Sequence, residues 1–319
     1  MSSASPLLSI CIANYNHAHY LPRAIDAILS QSFQDYELLI LDDGSTDHSK
    51  ECLKQYAKKD PRIRIFLKED NKGVAIRTNE LIAESRGLYL HTHGADDYRL
   101  PGCLEALMAP LLENPDIEIA CGQFFCEENG QRTLETCGIS SKEERLYFSP
   151  KQMPAMFRDA QFKMFSIALI SKKNLYIKYG GYRKEFSYFD DWFVLHQMVF
   201  NHKMVFITKP LSVFSIHNHN YSNTHRRNKV TRRAAYKAIL KALDEPQHLS
   251  FRSHIRNTGL IWFIFQEFFW SMLLNPRYWS FWPAIQRKYP IQDKLKKSWR
   301  KKLMKLGWIK NQKEKTSQT

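Results

Sequence analysis

A chain of 319 residues, 44% hydrophobic and 25% charged, has the composition of a folded protein with one sizeable core plus an appendage, which excludes a disordered or low-complexity polymer. The net charge of +15 is concentrated at one end: the last 70 residues hold 15 Lys and Arg against three acids, so the body is near neutral. A globally basic protein would suggest nucleic acid, whereas this distribution points to one basic end meeting a polyanionic surface, with anionic lipid and RNA both open and no nucleic acid expected as partner once the whole sequence is weighed. Six scattered cysteines with no CxxC pair exclude a zinc knuckle or a disulfide framework and suit a reducing cytoplasm. The opening MSSASPLLSICIANYN has no basic start and an apolar run too short for a signal peptide, so no leader is expected to be removed.

In chain order, short apolar runs alternate with helical patterns. Leu7 to Ala13 reads as a strand, and Leu21 to Ser30 as a helix with Leu21, Ala24, Ile25, Ile28 and Leu29 on one face. Tyr36 to Leu41 reads as a second strand, followed by a turn and a helix through about Lys58. Ile63 to Leu67 is a third strand, Val74 to Ser85 a helix, Leu88 to Thr92 a fourth strand, Cys103 to Asn114 a helix and Ile117 to Phe125 a strand. Residues 130–149 read as a polar loop, Lys203 to Ser215 as an edge strand or bend interrupted at Pro210, and Thr231 to Leu243 as a basic helix. Strands alternating with helices imply an α/β fold with a mostly parallel sheet, whose ligands bind at the carboxyl ends of the strands.

Acidic and small residues collect at those ends. Asp42-Asp43-Gly44-Ser45-Thr46-Asp47 offers a carboxylate that can accept an imide N–H, or is a plain acidic turn with a helix cap. Asp96-Asp97 supplies the oxygen ligands that Mg²⁺ or Mn²⁺ needs beside a diphosphate, or caps the next helix. In Phe189-Asp190-Asp191-Trp192 the aromatic flanks desolvate the aspartates and raise a carboxyl pKa towards general-base use, which is compatible with a helix start. His217, just beyond the bent strand, is a candidate metal or phosphate contact. Arg77, on the helix with Asn79, either faces a pyrophosphate or is a solvated cation.

Five segments, IANYN (12–16), LSQSFQDYELLILDDGSTD (29–47), NKGVAIRTN (71–79), ESRGLYL followed by GADD, and FDDW, together resemble the family 2 inverting glycosyltransferases of bacterial cell-surface polysaccharide synthesis over about residues 6–220. The resemblance implies a GT-A fold: a Rossmann-like central sheet flanked by helices, with a catalytic domain over 1–225 and a C-terminal helical appendage over 226–319. It implies that Ala13 and Tyr15 line the base of a UDP-sugar, that Asp43 binds uracil, and that Asn79 contacts the donor. Asp96 would ligate Mn²⁺ or Mg²⁺ with Asp97 and His217 in support, and Asp191 would deprotonate the hydroxyl of a glycan or lipid-linked acceptor. Two departures stand out: Gly94 occupies the place of the family's usual first metal-binding Asp, and Arg77 is displaced by one residue from the usual Arg-Asn pair. The first leaves open a non-catalytic nucleotide-sugar-binding protein.

Leu260 to Leu274 is apolar but only 15 residues long and carries Gln266, Glu267 and Ser271, so it reads as an interfacial amphipathic helix rather than a span. Tyr278, Trp279 and Trp282, with seven cations from Lys294 to Lys305, add to an expected peripheral contact with an anionic membrane face. The tail from about 308 is expected to be disordered.

Overall fold

A computed structural model describes residues 5–159, 162–217, 220–261 and 275–284, with 264 and 267. Its first half repeats strand and helix: β1 (Leu8–Asn14), α1 (Leu21–Leu29), β2 (Tyr36–Asp43), α2 (Ser49–Lys59), β3 (Ile63–Lys68), α3 (Val74–Glu84), β4 (Tyr89–Gly94). The short β5 (Tyr98–Arg99), α4 (Cys103–Glu113), β6 (Ile119–Glu128), β7 (Gln131–Glu135), β8 (Arg145–Phe148), α5 (Met153–Arg158), β9 (Leu169–Lys172) and α6 (Lys173–Lys178) follow. A 3-10 helix (Lys184–Phe189) then leads into α7 (Asp190–Asn201), β10 (Met204–Ile216), α8 (Tyr221–Arg227) and α9 (Lys229–Ala242).

All ten strands join one sheet in the order β3-β2-β1-β4-β9-β6-β10-β5, with β7 on β6 and β8 on β10. β3, β2, β1 and β4 are parallel neighbours, as are β6 and β10, whereas β9 runs antiparallel to both β4 and β6. Helices on both faces bury β1 and β2 completely enough that Leu8, Ile10, Ile12, Leu38, Leu39 and Ile40 have no exposed surface. Leu21, Ala24, Ile25 and Ile28 form the buried stripe of α1, as their spacing demands. This is the α/β architecture expected of the sequence.

Chain order reverses at β1: its connection to β2 leaves on one side, while β4 returns on the other. Such a switch point opens a crevice at the carboxyl ends of the two strands. Ala13 there pairs with Leu41 on one side and Gly94 on the other, and Asn14 pairs with Asp42. The polar loops after β1, β2 and β4 therefore share one edge.

Two expectations need correction. Residues 130–149 are not one loop: Asn129 (φ 51°) and Gly130 (φ 78°) turn β6 back into β7, and β8 pairs with β10. β10 is not an edge strand, since β6 lies on one side and β8 and β5 on the other; the alternative, a bend, is what its register shifts on both sides of Pro210 show. By compactness the chain divides into Met1–Arg252 and Ser253–Thr319. α9 belongs to the first unit because Tyr236 packs on Phe189, with ring centroids 5.4 Å apart, and Ala235, Ile239 and Leu240 are buried with it.

The second unit, Ser253–Thr319, is described only in part. Within it Gly259 (φ +69°) lies against the Ala284 carbonyl, and a 3-10 helix (Pro276–Phe281) starts where Asn275 accepts from the Arg277 N–H. Trp279 is 58% exposed. No helix among the described residues is long and apolar enough to cross a membrane. Most of the expected interfacial helix, the cations from Lys294 onward and the tail beyond 308 lie outside the described residues.

Candidate active site

β1 ends in Asn14, and the next residues turn sharply: Asn16 takes φ 57°, a conformation asparagine tolerates, and its Oδ1 accepts from the Thr46 N–H at 2.8 Å. Ser45 is fixed from three sides, giving its N–H and hydroxyl to Asp42 and accepting from the Asn16 N–H. Asp42 is thus an internal brace of the loop pair, while Tyr15 between them is left 43% exposed. Gly44 is required here: its φ is +74°, and a Cβ would lie 3.0 Å from backbone atoms of Glu69 and Asp70.

Asp43 points to the loop after β3. Its Oδ1 accepts from the Lys72 N–H (2.9 Å) and Arg77 Nε (2.5 Å), and its Oδ2 from the Gly73 N–H (2.8 Å). These bonds use three of about four carboxylate lone-pair sites, so Oδ2 keeps one acceptor position for a further donor. Arg77 is 1% exposed and is held by Asp43, Asp70 and Glu80 together. Burial opposes its charge, but the three carboxylates outweigh that and its pKa is raised. Arg77 is thus no solvated cation: it staples β2, the 69–73 loop and α3.

Asn79 is likewise redirected. Its Nδ2 donates to the Tyr182 carbonyl at 2.7 Å and its Oδ1 accepts from the Tyr182 N–H at 2.9 Å. The amide thereby clamps α3 to the segment before the 3-10 helix. The clamp sets Tyr182, whose hydroxyl lies 3.0 Å from Thr92 Oγ1 on β4 and whose ring is within electrostatic reach of Asp191 and Asp190.

Beyond β4, Asp96 Oδ2 lies 2.9 Å from His217 Nε2 and accepts from Asn220 Nδ2 at 2.7 Å. Burial raises the Asp96 pKa, but the His217 hydrogen bond and the neighbouring charge of His17 lower it further, and the net direction is down. Tyr20 stacks on the His217 ring at 4.7 Å, with His17 edge-on at 6.2 Å. Asp97 differs from its neighbour. It is 5% exposed, accepts from the Ser215 N–H at 3.0 Å, and is pushed well above the usual carboxyl range by burial and then by Asp96. Asp97 thus braces the end of β10.

Asp190 and Asp191 open α7 where the chain leaves a distorted 3-10 helix, in which Ser187 adopts φ 53° and ψ −129°. Both aspartates are raised, Asp190 well above its ordinary value by burial and then by the charge of Asp191. Burial raises Asp191, and the Ser166 hydroxyl, donating to Oδ2 at 2.8 Å, partly offsets it. The direction of this shift is the one that general-base use of a carboxyl requires.

The sequence model of glycosyl transferase family 2 matches residues 9–176, more than half of the chain. The chain belongs to glycosyl transferase family 2. Chondroitin synthase of Pasteurella multocida is 36% identical over 163 residues, which is 51% of this chain and 16% of that protein. An uncharacterised glycosyltransferase of Haemophilus influenzae is 29% identical over 170 residues, 53% of this chain and 64% of that one. Less than two thirds of either relative is therefore spanned. Among solved structures, S. aureus TarS 1-349 in complex with UDP-GlcNAc superposes with a TM-score of 0.64 at 15% identity, covering 88% of this chain and 81% of TarS. The mannosyltransferase PcManGT of Pyrobaculum calidifontis, in complex with GDP-Man and Mn²⁺, gives a TM-score of 0.53 at 15% identity over 90% of this chain and 88% of that one. These likenesses establish the GT-A type of fold.

The Gly94 departure from the family pattern has a local cause. A Cβ at Gly94 would lie 2.6 Å from Asp97 Oδ2 and 3.0 Å from Asp96 Oδ1, because both carboxyls fold over it. Among the described residues no three His, Cys, Asp or Glu side chains gather around one point. Asp96 and His217 still bring a carboxylate oxygen and an imidazole nitrogen together, a donor pair that Mn²⁺ accepts when substrate phosphates complete its shell.

Proposed function

We propose that this chain transfers a sugar from a nucleoside diphosphate donor, a UDP-sugar, to a hydroxyl of a glycan or lipid-linked acceptor, with inversion at the anomeric carbon. The observation that carries the reading is the contrast between two acidic sites near one sheet edge: Asp96, lowered and paired with His217, and Asp191, raised and held by Ser166. A lowered carboxyl suits a cation and a raised one suits a base, so environment divides the labour between like residues.

Ala13, half-buried at the switch point, and the exposed Tyr15 ring line the nucleobase, and the remaining acceptor position of Asp43 Oδ2 takes the uracil imide N–H. Asp96 and His217 would hold the Mn²⁺ or Mg²⁺, which when bound neutralises charge on the departing diphosphate. Asp191 takes the proton of the acceptor hydroxyl, and that oxygen forms a bond to the anomeric carbon from the face opposite the diphosphate. The bond from that carbon to the diphosphate oxygen breaks, and the electron pair leaves with the nucleoside diphosphate. The charge of the last 70 residues supports a peripheral position at the inner face of a cell membrane, where an anionic surface would meet the basic end.

A thermal-shift screen of nucleoside diphosphate sugars with Mn²⁺ tests the donor assignment. A ligand at 100 times its dissociation constant stabilises by about 2.7 kcal/mol. A shift with UDP-sugars supports the reading, and no shift with any nucleotide sugar removes it.

A further inference from the structure

The residue that turns the chain from His217 into α8, Asn220, has no role in the sequence reading. Its amide is 3% exposed and fully used. Nδ2 donates to Asp96 Oδ2 at 2.7 Å and to the Ser215 carbonyl at 2.9 Å, and Oδ1 accepts from the His217 N–H at 2.5 Å. The backbone closes the same turn: the Asn220 N–H donates to the His217 carbonyl, and the Asn220 carbonyl accepts from the Thr224 N–H in α8. One buried side chain thus fixes both the carboxylate of Asp96 and the main chain that carries the imidazole of His217, from loops more than 100 residues apart.

We infer that Asn220 is a positioning residue for the cation, setting the separation of Asp96 from His217 before a metal arrives. A site with two protein ligands among the described residues depends on their spacing more than a site with a complete shell does. Without the amide, Asp96 loses one of its two restraints and the turn carrying His217 loses two of its bonds. Outer partners that orient metal ligands change metal affinity by about 10–100-fold when removed. An aspartate at 220 would lack both N–H donors and face Asp96 with like charge, which is a physical reason for an amide here. The inference rests on the proposed cation site, and its test separates the two.

Mn²⁺ is titrated into the full chain in the presence of UDP, with bound Mn²⁺ read by electron paramagnetic resonance against UDP alone, and UDP affinity is measured separately in EDTA. Asn220→Ala is expected to weaken Mn²⁺ binding at least tenfold and leave UDP affinity in EDTA unchanged. Equal Mn²⁺ affinity in variant and wild type overturns the role of Asn220. Absence of chain-dependent Mn²⁺ binding in the wild type instead overturns the cation site itself. If the alanine variant does not fold, Asn220→Gln, which keeps the amide on a longer arm, decides the matter: Mn²⁺ affinity weakened relative to wild type supports the inference, and unchanged affinity contradicts it.

Discussion

Arg77 Nε lies 2.5 Å from Asp43 Oδ1, both side chains almost wholly buried, so the carboxylate proposed to read uracil is oriented by a guanidinium 34 residues away. Removing one partner of such a pair leaves an unpaired buried charge and costs about 3–5 kcal/mol. Arg77→Met is therefore expected to lower the melting temperature by several degrees and to weaken UDP binding, both measured by thermal unfolding with and without UDP. Unchanged UDP affinity would separate Asp43 from the nucleobase.

The pH profile carries a signed expectation. Asp191 is active as the carboxylate, and its pKa is raised, so kcat/KM rises with pH along an acid limb lying above the ordinary carboxyl range. The Ser166 hydrogen bond lowers that pKa, so Ser166→Ala moves the limb to higher pH. A limb that stays in place in this variant would mean that another group titrates.

Asp97 offers a stability test. Its folded pKa is raised, so its contribution to stability is fully present below the unfolded carboxyl value and is lost as pH rises through the folded value. Asp97→Asn retains an acceptor for the Ser215 N–H without the buried charge. In EDTA the variant should melt higher than wild type at pH 8, by about 2–4 °C per kcal/mol regained, with the gap closing below pH 4. A lower melting temperature at pH 8 would show that the charge is compensated.

Restoring the usual family residue at 94 is expected to fail. Because a Cβ there meets Asp97 Oδ2 at 2.6 Å, Gly94→Asp should destabilise by about 1–3 kcal/mol and bind Mn²⁺ no more tightly, as denaturation and metal titration would show.

The first four strands and helices were legible to within about two residues of their ends, because β-branched apolar runs such as Ile10 to Ile12 sit between polar loops and Leu21 to Ile28 keeps helical spacing. β7 escaped because four of its five residues are exposed, three of them polar, and the strand shows no apolar alternation, although Asn129-Gly130 was a readable turn signal. Asp43, Asp96 and Asp191 stood out as carboxylates at strand or helix ends. What local pattern cannot reveal is which partner a side chain finds across the fold. Arg77 and Asn79 looked like donor ligands because they lie near the pyrophosphate segment, yet one is bound to three carboxylates and the other to the Tyr182 backbone 103 residues away. Asn220 carried no signal, since its value lies in Asp96, 124 residues before it.

The account turns on Asp191 as the base, and one comparison addresses it most directly: sugar transfer and UDP-sugar affinity measured side by side for wild type and Asp191→Asn. Loss of a general base is expected to lower kcat by about 10²–10⁴ while the dissociation constant for the UDP-sugar stays the same. Transfer at the wild-type rate by the asparagine variant would contradict the account.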